Sequence, residues 1–321
     1  EDVVVTMSHR GYLKRVPLAT YRAQARGGRG IIGADTKEED FITSLWGAHT
    51  HDTMLFFTSR GRAFAKRVFE VPELGRTSAG RSIHNLLQLQ EGEEISSAFP
   101  IKEFDDRDIL FATRGGIAKK VTLSLLRNAA RQTGLIACGL DEGDALVGAV
   151  LLEGGEDVFL CTGDGMSIRF PESDVRRMGR TARGVRGIKL RGDDFVVGLA
   201  VVRENTTLLT LCEGGYGKRT KVEEYRRQSR GGFGIKNIQT SKRNGRVVKI
   251  QVVDDDRDVI LITAGGMIIR TQIDQVNVIG RNTQGVKVIN LKKDDRLLAG
   301  AVVERATEEP EFEGEPEAES E

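Results

Sequence analysis

Large side chains and cysteines are scarce in this sequence. Aromatic residues make up only 6% of its 321 positions, so a core must be assembled mostly from Val, Ile, Leu and Ala. The three cysteines, Cys138, Cys161 and Cys212, form no C-x-x-C pair and leave an odd count. That pattern indicates neither a disulfide framework nor a zinc ribbon. Cys161 and Cys212 lie inside apolar runs and read as small buried side chains. No apolar run reaches the roughly 18 residues of a membrane-spanning helix, and no signal-peptide pattern precedes the first apolar run. Sustained helical periodicity is also missing; the one candidate is a short helix over residues 121–130. Proline numbers six and clusters only near the C-terminus. The chain opens on Glu1, already in a strand-like run and without methionine, which predicts a fragment of a longer protein. A soluble protein of a reducing, cytoplasmic compartment is the expectation.

Glycine, by contrast, is abundant at 38 residues. Six near-copies of one pattern begin at Val3, Leu55, Ile109, Val158, Leu208 and Val259. Each is an apolar run, a small hydroxyl or thiol residue, a turn with a glycine, and a second run that ends basic. The turn glycines, Gly11, Gly61, Gly116, Gly165, Gly215 and Gly266, are spaced 50, 55, 49, 50 and 51 residues apart. A fixed period of this length marks a repeat architecture of supersecondary modules. Each repeat is expected to hold four strands; in the fourth they would run over residues 146–152, 158–162, 166–170 and 187–190. Asp-Gly or Gly-Gly at the turn in repeats three to six predicts a two-residue type I′ hairpin. Four strands in each of six repeats give an all-β, six-bladed, propeller-like disc, whose closure leaves few exposed strand edges.

The net charge of +1 conceals two opposed parts. From Glu304 to Glu321 there are nine Glu and one Arg, a net of −8, which leaves +9 on residues 1–303. The expected division is a six-bladed body over 1–303 and a disordered acidic tail over 304–321, too polar to bury a core. A basic body beside an acidic tail points to a polyanion, with nucleic acid first.

A second glycine-bearing loop follows each turn, at Gly28, Gly80, Gly134, Gly184, Gly232 and Gly285. The first is the most extreme: Gln24, Ala25, Arg26, Gly27, Gly28, Arg29, Gly30. Its glycines let the backbone approach a ligand, and its arginines offer forked donors matched to phosphate. Arg180, Arg183 and Arg186, then Arg230, then Arg281 and Lys287, echo it in later repeats. A second row of cations stands where the second run ends: Lys14, Arg15, Lys66, Arg67, Lys119, Lys120, Arg169, Lys218, Arg219 and Arg270. Equivalent positions on successive blades share one rim, so these residues would form a curved belt suited to bent duplex DNA. Bending 20–30 base pairs by 40–90° costs about 1–6 kcal/mol, which spread phosphate contacts can offset. Aromatics suited to stacking on unpaired bases are scarce near these loops, which favours duplex.

Three other patterns carry less. Gly28-Arg29-Gly30-Ile31-Ile32-Gly33 satisfies G-x-G-x-x-G but lacks a βαβ unit. His49 and His51 have no third metal ligand in view. Asp254-Asp255-Asp256 lacks the glycine and terminal Glu of a calcium loop and reads as a solvated turn.

The loop Gln24–Gly30 resembles the GyrA box, Q-[RK]-R-G-G-[RK]-G, of the C-terminal domain of the DNA gyrase A subunit. VVVTMSHRGYLKR, EEDFITSLWGAHTHD, VRRMGRTARGVRGIKL, GGYGKRT and VIGRNTQGV follow that domain in order. The resemblance covers residues 1 to about 303; Ala25 departs from it where the family carries a basic residue. It implies a six-bladed β-pinwheel whose blades exchange strands and whose basic perimeter wraps double-stranded DNA with positive handedness. The box would be the feature on which wrapping depends. It further implies a place in an A2B2 holoenzyme with the gyrase B subunit, alongside the rest of the gyrase A subunit. The catalytic tyrosine and the ATP- and Mg²⁺-using parts would lie outside this chain, leaving it no chemistry, cofactor or metal of its own. The rivals are the equivalent domain of topoisomerase IV, with degenerate boxes and often fewer blades, and a protein-interaction propeller with solvated basic loops.

Overall fold

The structure, a computed structural model, describes residues 1–22, 40 and 42–305. The box Gln24–Gly30 and the tail from residue 306 lie outside the described residues. Each of the six repeats supplies the hairpin of one sheet. In sheet one the order is Ile42–His49, Asp2–Ser8, Tyr12–Pro17 and Arg81–Ser82. Sheet two has Ile95–Ile101, Thr53–Thr58, Arg62–Arg67 and Leu135–Ile136; sheet three has Leu146–Leu152, Asp108–Thr113, Ile117–Thr122 and Val185–Arg186. Sheet four has Val196–Val201, Asp157–Thr162, Met166–Pro171 and Ile235–Lys236; sheet five has Val247–Val253, Thr207–Cys212, Tyr216–Lys221 and Val286–Lys287. Sheet six, Leu297–Glu304, Arg257–Thr263 and Ile268–Gln272, has three strands among the described residues.

The expected division into strands was therefore right in kind and wrong in partnership. Residues 146–152 do form a strand, but it pairs with Asp108–Thr113 of the third repeat's hairpin. The fourth strand assigned to 187–190 is instead Val185–Arg186, and it too belongs to sheet three. Every two-residue outer strand crosses from the following repeat, so neighbouring sheets are joined by exchanged strands. Apolar patterning marks a strand but does not name its partner.

The core lies between successive sheets. Met54, Phe56 and Phe64 of sheet two pack on Val3, Val5 and Leu13 of sheet one. Their neighbours Leu55 and Phe57 point the other way, onto Ile109 and Phe111 of sheet three. Because successive side chains alternate in direction, a strand with a sheet on each side is apolar throughout. That explains the unbroken runs in the sequence. The inner strands touch in a cycle, and Ile42–His49 meets Leu297–Glu304 where the cycle closes.

The hairpin turns differ from expectation. In repeat four the strands end at Thr162 and resume at Met166, and Gly165 N–H donates to the Thr162 carbonyl at 3.1 Å. Of the three loop residues only Gly165 has positive φ, at 88°. A type I′ turn needs two such residues; one, following a type I turn, is the three-residue hairpin with a bulge. Residues 121–130 are also divided: the strand continues to Thr122, and a 3-10 helix covers Leu123–Ala130.

Candidate nucleic-acid interface

Most of the second row of expected rim cations lies inside the joints between sheets; Arg67 and Arg270 are exposed and bond within their own repeat. Lys14, Lys119 and Lys218 occupy one register position in sheets one, three and five, and all are buried. Lys14 Nζ donates to the carbonyls of Gly75 at 3.2 Å, Arg76 at 2.6 Å and Ser78 at 2.7 Å. Lys119 Nζ reaches the carbonyls of Ala137, at 3.0 Å, and Arg180. Lys218 Nζ reaches those of Asn237, Gly280 and Arg281. Burial pushes the Lys119 and Lys218 ammonium groups down to about 8, and lowers Lys14 as well. Sheets two, four and six carry Phe64, Ile168 and Ile269 at the same position.

The next residue along is also committed. Arg15 pairs with Glu73 and donates from Nε to the Val71 carbonyl; Lys120 pairs with Glu172. Arg169 pairs with Asp157, Arg219 with Asp255 and Arg270 with Asp258. Arg169 and Arg219 also donate to carbonyls of Val222 and Val276. In sheet two the charges shift along the strand: Lys66 is half-buried, and exposed Arg67 donates to the His51 carbonyl at 2.8 Å. These cations act chiefly as clamps between sheets.

The second loops divide more finely. Arg180 Nη1 donates to the Ile136 carbonyl at 2.9 Å, Arg230 Nη1 to Arg186 at 3.1 Å, and Arg281 Nη1 to Lys236 at 2.8 Å. Each therefore staples its loop to the outer strand of the preceding repeat. Arg183 pairs with Asp141 at 2.7 Å on the surface, an arrangement that contributes little to stability. Two of the glycines of these loops are explained by packing. A Cβ on Gly184, at φ +98°, would lie 2.5 Å from the Ala118 carbonyl oxygen; one on Gly285 would lie 2.8 Å from that of Gly217. Here the close approach is to a neighbouring strand.

Arg186 and Lys287 remain exposed, and so does Lys236, which sequence reasoning overlooked. None of the three side chains has an ion pair or hydrogen bond among the described residues. Lys236 stands two residues after Gly234, as Arg186 stands two after Gly184 and Lys287 two after Gly285. That shared offset was the available signal. Gln228–Gly234 partly repeats the Gln24–Gly30 sequence, with Phe233 in place of the second basic residue; Phe233 lies under Lys189 Nζ at 4.9 Å and the Arg191 guanidinium at 4.1 Å. Contacts of this kind hold a cation at the surface without neutralising it.

The three cysteines are buried and free, and burial pushes the Cys161 and Cys212 thiols up to about 12. Among the described residues no group of three or more His, Cys, Asp or Glu could hold a metal ion. His49 and His51 stack on each other at 5.5 Å. Asp254, Asp255 and Asp256 are paired with Arg203, Arg219 and Arg257. No described helix is long and apolar enough to cross a membrane.

Comparison with known proteins agrees with this geometry. A family model described as DNA gyrase C-terminal domain, beta-propeller, matches six times, over residues 2–45, 52–102, 107–153, 156–203, 207–254 and 257–304. The DNA gyrase A subunit of Salmonella typhimurium is 45% identical over 299 residues, covering 93% of this chain and 34% of that protein. The chain thus spans about a third of that relative's length. The crystal structure of the C-terminal domain of DNA topoisomerase IV overlays with a TM-score of 0.84 at 28% identity, covering 95% of this chain and 94% of that one. The structure of a DNA gyrase A C-terminal domain overlays with a TM-score of 0.71 at 27% identity, covering 94% and 99%.

Proposed function

The chain belongs to the family of DNA gyrase C-terminal beta-propeller domains, and on that premise we propose that it binds duplex DNA and wraps it around its perimeter. The observation that carries this reading is the arrangement of Arg186, Lys236 and Lys287, exposed at one level on the outer strands of a ring that closes on itself. A rigid ring presents charge on a fixed curve. Duplex DNA following that curve exchanges its condensed counterions for protein cations, and the released ions help offset the cost of bending.

In this reading the domain has no chemistry or cofactor of its own. It is part of a cytoplasmic A2B2 gyrase in which ATP and Mg²⁺ act elsewhere, and positive wrapping presents a DNA segment for passage so that negative supercoils accumulate. The box Gln24–Gly30 is the main DNA contact in this proposal. A decatenating role like that of topoisomerase IV has one observation in its favour, the higher TM-score of that enzyme's domain. The 45% identity to a gyrase chain favours gyrase.

Titration of the domain with duplexes of increasing length tests the reading. Affinity should climb until the duplex is long enough to follow the rim and then level off. An affinity independent of length beyond about ten base pairs would instead indicate one local contact.

A further inference from the structure

The outer strands offer one register position that can be compared across five sheets. It is the residue opposite the one that follows the turn glycine. Ser82 stands there against Tyr12, Ile136 against Arg62, Arg186 against Ile117, Lys236 against Met166 and Lys287 against Tyr216. Sheets three, four and five thus carry a cation at this point. Sheet two carries an isoleucine that is 50% exposed.

The charges nearest that point in sheet two are turned onto protein groups: Arg180 donates to the Ile136 carbonyl at 2.9 Å. Arg62, directly across from Ile136, donates to the buried Glu93 and to the carbonyls of Thr133, at 2.8 Å, and Gln88, at 2.9 Å. Its charge is cancelled where it stands. The outer strands farther on are gripped in the same way as Ile136 is by Arg180, but there the gripped residue is itself a cation. The carbonyls of Arg186 and Lys236 are gripped by Arg230 and Arg281, so the residue that projects each free cation is fixed by a guanidinium turned inward.

We propose that the duplex follows a track over sheets three to five, contacted through Arg186, Lys236 and Lys287, and that this track ends at Ile136. Arg230 and Arg281 are positioning residues for it and do not themselves contact phosphate. The inference rests on the DNA-wrapping reading and adds to it which part of the perimeter, and which cations, meet the backbone. A fixed strand also limits the freedom each long side chain loses on contact.

Salt titrations of duplex affinity with the whole 321-residue chain separate the roles, because each phosphate neutralised contributes about 0.9 to the slope of log affinity against log salt. Lys236→Gln should flatten that slope by about 0.9. Ile136→Lys should steepen it by about as much, a gain that misfolding cannot produce. Arg281→Gln should weaken binding while leaving the slope within error of wild type. The track is overturned if Ile136→Lys and Lys236→Gln both keep the wild-type slope, or if Arg281→Gln flattens it as much as Lys236→Gln does. A wild-type chain that shows no salt-dependent duplex binding would defeat the DNA reading itself, a separate failure.

Discussion

Replacing Lys218 with methionine should lower the stability of the domain by about 3 kcal/mol at neutral pH, measured by denaturant unfolding. The substitution keeps most of the side-chain volume but removes the donor shared by three carbonyls, two of them from the following repeat. Buried groups that lose their partner cost about 1–3 kcal/mol each, and partial relaxation keeps the total below the simple sum. The difference should also depend on pH. Burial lowers the Lys218 ammonium from its ordinary 10.5 to about 8. Between those values the unfolded chain holds a proton that the folded chain has released, so wild-type stability rises with pH through that window. Below pH 8 both states are protonated and the contribution is flat. Wild type should therefore pull further ahead of Lys218→Met between pH 8 and 10.5. A gap that narrows in that range would show that the charged form is favoured in the fold.

The second large effect concerns the box. Arg26→Ala combined with Arg29→Ala should abolish the topological change that the domain imposes on closed circles while leaving its folding intact. The described copy of this loop offers no free arginine to DNA. Arg230, the counterpart of Arg26, is spent on the Arg186 and Asp174 carbonyls, and Phe233 stands where the box has Arg29. The box is the one second loop with both arginines and all three glycines together, and in the proposed function those arginines meet DNA. Circles closed by ligase in the presence of the double variant should match those closed without protein. Unchanged writhing would remove the box from the account.

Strand positions and the six-bladed plan could be read from the sequence because a strand buried on both faces leaves a continuous Val, Ile and Leu run. The partners of those strands could not. Residues 146–152 lie a short turn before the fourth hairpin and well beyond the end of the third, so nearness along the chain pointed to the wrong partner and nothing in their composition corrects it. The roles of the basic residues were legible only in part. Lys14 reads as an exposed strand end, yet it is buried by carbonyls supplied 61 to 64 residues later. A charged side chain in a repeat takes its environment from the neighbouring repeat, and local pattern does not carry that information. Arg186 and Lys287 were identifiable from their offset to the loop glycine. Lys236 shares that offset, but its repeat drew attention to Arg230 instead. The turn type was missed for a simpler reason: Asp-Gly serves both a type I′ pair and the last two residues of a bulged loop, and φ at the preceding residue decides between them.

The domain's effect on DNA topology tests the central claim most directly. Relaxed circular duplex, nicked and resealed with this chain bound at saturation, should give a distribution of topoisomers shifted toward positive linking difference, in proportion to the number of domains bound. Saturating binding with an unshifted distribution would mean that the ring holds DNA without bending it into a wrap, and the account would be contradicted.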